Sequence, residues 1–308
     1  MRTDIRYVNS KGISMEFGGD DTSLHYFENE LRDWEWEYTS ASSSSRITSF
    51  SRRSKKPKKI KFHVGIAAAT EEEGLIKRNE LVTLGEADIV SKTPGKLYIG
   101  DWYINCYIIA GEPTNYWLSD RFAEFKLTLL AEDPSWIRET IHYFNHEIQT
   151  NPGGSRKDFP KEFPFDLGQS KPSKIFTNDA LGSVGWLWRV YGPATNPYMR
   201  INNNLHQVNT QIPKGAYMEV NSVAKTIVLI GADGKRENLY AARARGTSTS
   251  DSYIFKAIDS GDVSVLWDNT FDFDLTIFES CSTPPYEKER KRIAKAAPAP
   301  KEEVAHNG

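Results

Sequence analysis

His142 and His146 stand four residues apart with Glu147 adjoining. On a helix that spacing puts two imidazoles on one face, where they could grip a metal ion. The surrounding stretch reads otherwise. From Trp136 to Phe144, Trp, Arg, Thr and His alternate with Ile, Glu, Ile and Tyr, a period of two that predicts a strand. On a strand the two histidines lie about 13 Å apart, too far to share one ion. The metalloprotease order His-Glu-x-x-His is absent. Both are read as surface histidines, and no metal is expected.

Other chemical groups are as isolated. Cys106 sits in the apolar run 103–109 and reads as a small buried hydrophobe. Cys281 precedes Ser-Thr-Pro-Pro and has no evident histidine partner. The sequence contains no Gly-x-Ser-x-Gly elbow, no phosphate loop and no Gly-x-Gly-x-x-Gly. Asp272 and Asp274 share a strand face about 7 Å apart, a spacing that a glycosidase could use. Alternate aspartates on a strand are more commonly a solvated face. Nothing assembles a catalytic constellation, so no enzyme and no cofactor are expected.

Two groups of residues remain as candidate binding sites. The first is basic: Arg46, Arg52, Arg53, Lys55, Lys56, Lys58 and Lys59 follow a run of small hydroxyl residues at 39–45. This segment reads as the long tip of a hairpin between a strand ending at Tyr38 and one starting at Ile60. It lacks interleaved stacking aromatics, which favours a protein partner over nucleic acid. The second is the pair Trp186 and Trp188, which share one face of a predicted strand. Exposed indoles so placed make a saccharide platform, and core packing between two sheets is the competing reading.

The elements that must position these residues are mostly strands. Phe271-Asp-Phe-Asp-Leu-Thr-Ile277 alternates apolar and polar residues without a break; 126–129, 33–38 and 59–64 alternate as well. One stretch differs. Residues 71–90 carry apolar side chains near helical spacing, and Thr70 with Glu73 forms the pattern of a capping box. Gly85 reads as a break or terminus there, and Pro94 closes the segment.

Length and composition set the frame. With 308 residues the chain is long enough for about two domains. The reading places an α+β first domain at 1–133 and a β-sandwich at 134–286 with a linker at 148–172. An exposed charged tail follows at 287–308. A net charge of -2 excludes a protein that coats DNA in bulk. No apolar run is long enough to span a bilayer as a helix. Met1 to Asn9 is charged, so no secretory signal is expected. Two cysteines are too few for a disulfide framework, consistent with folding in a reducing cytosol.

The order of these elements resembles the distal tail proteins of bacteriophages with long, non-contractile tails. In the first half the resemblance rests on the Arg32-Asp33 strand, the basic loop, Lys61-Phe62 and a helix with Arg78-Asn79-Glu80-Leu81. It continues through Pro94 to Ile99, and Phe125 to Leu129 running into Glu132-Asp133-Pro134. In the second half it rests on Tyr191-Gly-Pro-Ala-Thr-Asn-Pro197, Lys225 to Leu229, Gly234 and Asn238-Leu239-Tyr240. Then follow Tyr253-Ile-Phe255, Asp259-Ser-Gly261, Val265 to Ile277, and Ser282 to Tyr286.

The resemblance implies a ring-forming β-structure with one helix, followed by a sandwich shaped like a galectin or carbohydrate-binding module. It implies a homohexameric hub at the virion tail tip, assembled in the host cytoplasm. Such a hub would join the tail tube protein to the tail-tip protein and any receptor-binding protein, and pass DNA through its lumen without specific binding or membrane insertion. The alternative is an adhesion module whose sandwich binds a host cell-wall saccharide through Trp186 and Trp188.

Overall fold

Period-two alternation becomes antiparallel pairing almost throughout the computed structural model. It describes residues 5–18, 24–40, 46–51, 57–119, 122–146, 173–246 and 250–285. The chain divides into two units, residues 1–137 with 281–308, and residues 138–280. Among the described residues each buried apolar cluster stays within one unit.

The first unit contains β1 (Ile5–Val8), β2 (Ser14–Phe17), β3 (Leu24–Asn29), β4 (Glu37–Ser40), β5 (Ile47–Ser51) and β6 (Lys58–Ala67). Helix α1 (Glu71–Ser91) follows, then β7 (Gly95–Ile99), β8 (Trp102–Ser119) and β9 (Phe122–Ala131). Strand β8 serves two ladders. Residues 102–106 pair with β7, which continues to β1 and β2, and its later residues pair with β9, which continues to β6 and β3. The register shifts between Ile108 and Ala110. An extra residue of this kind bends a strand and lets it pass from one ladder to the next. Ile60, Phe62, Val64, Leu127, Leu129 and Ile104 point into the shared core.

Helix α1 lies against that core. Thr70 caps it by accepting a hydrogen bond from the Glu73 amide at 3.2 Å, and the Glu73 carboxylate accepts from the Ala69 amide at 3.0 Å. Lys92 ends it in the left-handed conformation. The helix runs straight through Gly85, which the sequence marks as a break. The glycine serves packing instead: a Cβ there would sit 3.0 Å from the Ile108 Cβ, so its absence lets the helix approach β8 closely.

β10 (Trp136–Phe144) runs from the first unit into the second. The second unit comprises β11 (Ser173–Asn178), β12 (Gly185–Tyr191), β13 (Ala194–Thr195), β14 (Tyr198–Ile201), β15 (Asn204–Gln207) and β16 (Gln211–Ile212). It continues with β17 (Tyr217–Asn221), β18 (Thr226–Ile230), β19 (Arg236–Asn238), β20 (Gly261–Leu266) and β21 (Phe273–Cys281). β11, β20, β14 and β15 form one sheet; β19, β18, β17, β12 and β21 run side by side in another. A core from both fills the sandwich: Trp186, Trp188, Met218, Val263, Val265, Phe273 and Leu275. Phe273 and Leu275 face inward while Asp272 and Asp274 stay partly exposed, as the alternation at 271–277 predicts.

Two segments depart from the sequence reading. Residues 33–36 form no strand, because aromatic and acidic side chains alternate there without either set finding a core. The predicted loop at 39–59 contains strand β5, which pairs with β4 into a two-stranded ribbon. Cys281, at the end of β21, packs against the core of the first unit. Arg32 there donates to the Pro284 carbonyl.

Candidate interaction surfaces

Trp186 and Trp188 do not form a platform. Both are 0% exposed, inside the sandwich. Their strand pairs on both sides, β17 on one edge and β21 on the other, and its inward face meets the second sheet. A wide indole on that face gains most by filling the core, where Trp186 also donates from Nε1 to the Lys256 carbonyl at 2.8 Å. The saccharide reading thereby loses the residues that motivated it.

The outward face of the same sheet is polar and internally paired. Arg189 binds Glu219 at 2.7 and 3.0 Å, and Tyr191 donates to Asp274. Burial, the largest single influence, opposes the Arg189 charge, but the hydrogen bonds and charges of Glu219 and Tyr191 together outweigh it and raise the guanidinium pKa. Burial, then the Asp274 contact, raises the Tyr191 phenol. Asp272 accepts from the His146 backbone amide at 2.6 Å and pairs with its ring at 2.7 Å. His142 stacks on Phe176 with ring centroids 3.9 Å apart; burial, then Lys174, lowers its pKa. The two histidines thus serve different neighbours. Glu147 lies outside the described residues. Cys106 is fully buried, and burial pushes its thiol up to about 12.

The basic segment is partly visible. Arg46 precedes β5 and is exposed. Lys58 donates from Nζ to the Asp33 carbonyl at 3.3 Å, and Lys59 is exposed on β6. Arg52, Arg53, Lys55 and Lys56 lie outside the described residues.

Beside these cations sits a feature that sequence reading missed. In the ribbon Tyr38 pairs directly with Phe50, so both rings project from one face; Thr39 and Ser49, hydrogen-bonded at 2.5 Å, occupy the other. Tyr38 is 65% and Phe50 63% exposed, and Trp34 just before the ribbon is 62% exposed. Reading the basic tip as free of aromatics is corrected by this pairing, which is set by the register of β4 with β5 rather than by neighbours in sequence.

A second apolar surface lies on the same unit. Between α1 and strands β8 and β9 runs a groove of about 290 Å³ lined by Leu81, Val82, Gly85, Ile89, Ile109 and Phe125. Val82, Ile89 and Ile109 are all exposed. The helix buries one side against β8 and leaves apolar residues on its outer flank, which a helix packed on one core alone has no reason to carry.

No family model and no curated protein matches the sequence. Solved structures do. The Dit (gp 19.1) protein of phage SPP1, described as a paradigm of the hub adsorption apparatus in phages that infect Gram-positive bacteria, aligns at a TM-score of 0.53 and 11% identity. That alignment covers 91% of this chain and 100% of the Dit chain. A chain of the phage P2 baseplate in its activated conformation with calcium aligns at 0.57 and 12% identity, covering 92% of this chain and 100% of that one. The corresponding strontium structure aligns at 0.57 and 13% identity with the same coverage. Across both units, this chain has the fold found in the SPP1 adsorption hub and the P2 baseplate.

Proposed function

We propose that this protein is a structural hub of a phage tail tip: a homohexameric ring that joins the tail tube protein to the tail-tip protein and any receptor-binding protein. The observation that carries the reading is the fold likeness, which spans about nine-tenths of this chain and the whole of each hub or baseplate chain. A likeness confined to one sandwich would say little, because sandwiches host unrelated functions. Here the helix-bearing β-unit and the sandwich match together, in order.

The surfaces agree with a part that is held by neighbours. The first unit leaves a ribbon and a groove with apolar side chains in solvent, and such patches mark interaction sites. Heterologous contacts between identical subunits close into a ring when the rotation closes. A net charge of -2 suits a lumen that passes DNA without retaining it. The reading gives the protein no reaction to catalyse and no cofactor to hold, and it places assembly in the host cytoplasm with residence at the virion tail tip.

Gold-labelled antibody against this chain tests the location. Label confined to the distal end of intact tails is the expected result. Label along the tube, on the capsid or absent from virions would overturn the reading.

A further inference from the structure

We infer that the aromatic face of the β4–β5 ribbon docks in the α1/β8/β9 groove of a second copy of this chain. The inference rests on the hub reading and gives its ring a specific pair of contacting surfaces.

The ribbon needs a cover. Among the described residues β4 and β5 pair only with each other. A two-stranded ribbon alone is marginal in water and gains stability by laying an apolar face on something. Tyr38 and Phe50 form that face, and both stand in solvent. Within the chain the ribbon does not fill the groove, since Val82, Ile89 and Ile109 remain exposed.

The groove has the matching shape and chemistry. It is recessed and apolar, with Gly85 thinning its floor where the helix meets Ile108. Net charge is complementary. From Arg46 to Lys61 the sequence carries eight cations and no carboxylate. Helix α1 exposes Glu71, Glu72, Glu73, Glu80 and Glu86 against only Lys77 and Arg78. The groove's own charged lining is balanced, one Arg78 and one Glu86, while the helix as a whole is acidic and the ribbon's stretch of sequence basic, and opposite net charges steer two such surfaces together. A protrusion and a recess at different places on one chain make a head-to-tail contact, the kind that closes rings.

The experiment uses two full-length variants. In the first, Tyr38→Ser with Phe50→Ser removes the ribbon's rings; in the second, Val82→Glu with Ile89→Glu spoils the groove. These side chains are exposed, so each variant is expected to keep the wild-type melting temperature. Each alone is expected to need at least about tenfold higher concentration to assemble. Mixed one to one, they are expected to give a complex of two chains, because one sound ribbon then meets one sound groove and nothing can propagate.

A second measurement does not depend on weakened assembly. Phe50→Cys and Ile89→Cys proteins, mixed and treated with a short bismaleimide, are expected to crosslink between chains more than either alone. Wild-type rings with both variants still assembling normally and no such crosslink would overturn the inference while leaving the hub reading intact. Wild-type protein that binds DNA, together with ribbon variants that assemble normally and no longer bind it, would assign the ribbon to nucleic acid and also overturn it. A wild-type chain that never assembles would end both.

Discussion

The Tyr7 hydroxyl donates a 2.6 Å hydrogen bond to Oδ2 of Asp88, tying the first strand to the inner side of the helix across 81 positions of sequence. The Ser10 amide donates to the other carboxylate oxygen at 2.6 Å. Tyr7 and Asp88 are 0% exposed. Burial, then the bond to Asp88, pushes the Tyr7 phenol far up, so it stays a donor at any working pH. Gly95 completes the arrangement, since a Cβ there would stand 2.4 Å from the Tyr7 hydroxyl and 2.6 Å from Asp88 Oδ2.

Tyr7→Phe leaves a buried carboxylate short of one donor and is expected to cost about 2 kcal/mol. Gly95→Ala forces the pair apart and is expected to cost roughly 1–3 kcal/mol. Urea titration of the purified protein reads both. A Gly95→Ala protein as stable as wild type would show that the pair has room to move.

The two buried indoles are expected to separate. Trp186 Nε1 donates to the Lys256 carbonyl, whereas Trp188 Nε1 has no hydrogen-bond acceptor among the described residues. Trp186→Phe therefore strands a carbonyl and is expected to cost about 1–2 kcal/mol more than Trp188→Phe, which removes a donor already unsatisfied. Equal costs in the same denaturant series would contradict the hydrogen-bond assignment.

Inward and outward faces of β21 should differ more. Phe273 stacks on Phe144 with centroids 4.4 Å apart and meets Trp188 and Trp267 edge-on. Phe273→Ala is expected to cost about 3–5 kcal/mol. Asp274→Asn, on the solvent side, is expected to cost under about 1 kcal/mol. A reversed order would mean the strand faces are assigned backwards.

Acid should weaken the sandwich through His206. The Ile254 carbonyl accepts from Nδ1 at 2.7 Å and the Asn204 amide group donates to Nε2 at 2.9 Å, which fits a neutral ring. Burial is the main cause of a pKa lowered to about 4, helped by Lys256 and opposed by the Ile254 hydrogen bond. An unfolded histidine titrates near 6.5, so between about 6.5 and 4 the unfolded chain binds the extra proton. Stability is then whole above about 6.5 and falls as pH drops toward 4, by on the order of 3 kcal/mol from this residue. Melting temperatures from pH 7 to 4.5 should show the fall, and His206→Gln should flatten it; an unchanged slope would remove His206 as the cause.

Sequence made the strands and helix legible where one face meets a core. Phe273 and Leu275 alternate with Asp272 and Asp274 because burial imposes a period of two, and Thr70 with Glu73 announces α1 because caps are local. It was silent where the outcome depends on distant partners. Nothing near Gly85 reveals Ile108, so a packing glycine resembles a helix end. Trp186 and Trp188 alternate like a platform or like a core, and only the opposing sheet decides. Tyr38 and Phe50 lie twelve positions apart, so their pairing awaited the register of β4 with β5.

The proposed hub requires that the chain assemble with copies of itself. Light scattering of the purified chain, with electron-microscope class averages of the same sample, tests it most directly. The expected result is a six-fold ring with an open centre and a mass six times the 35.0 kDa chain. A particle that keeps the mass of one chain at every concentration, with no ring in any class, would contradict it.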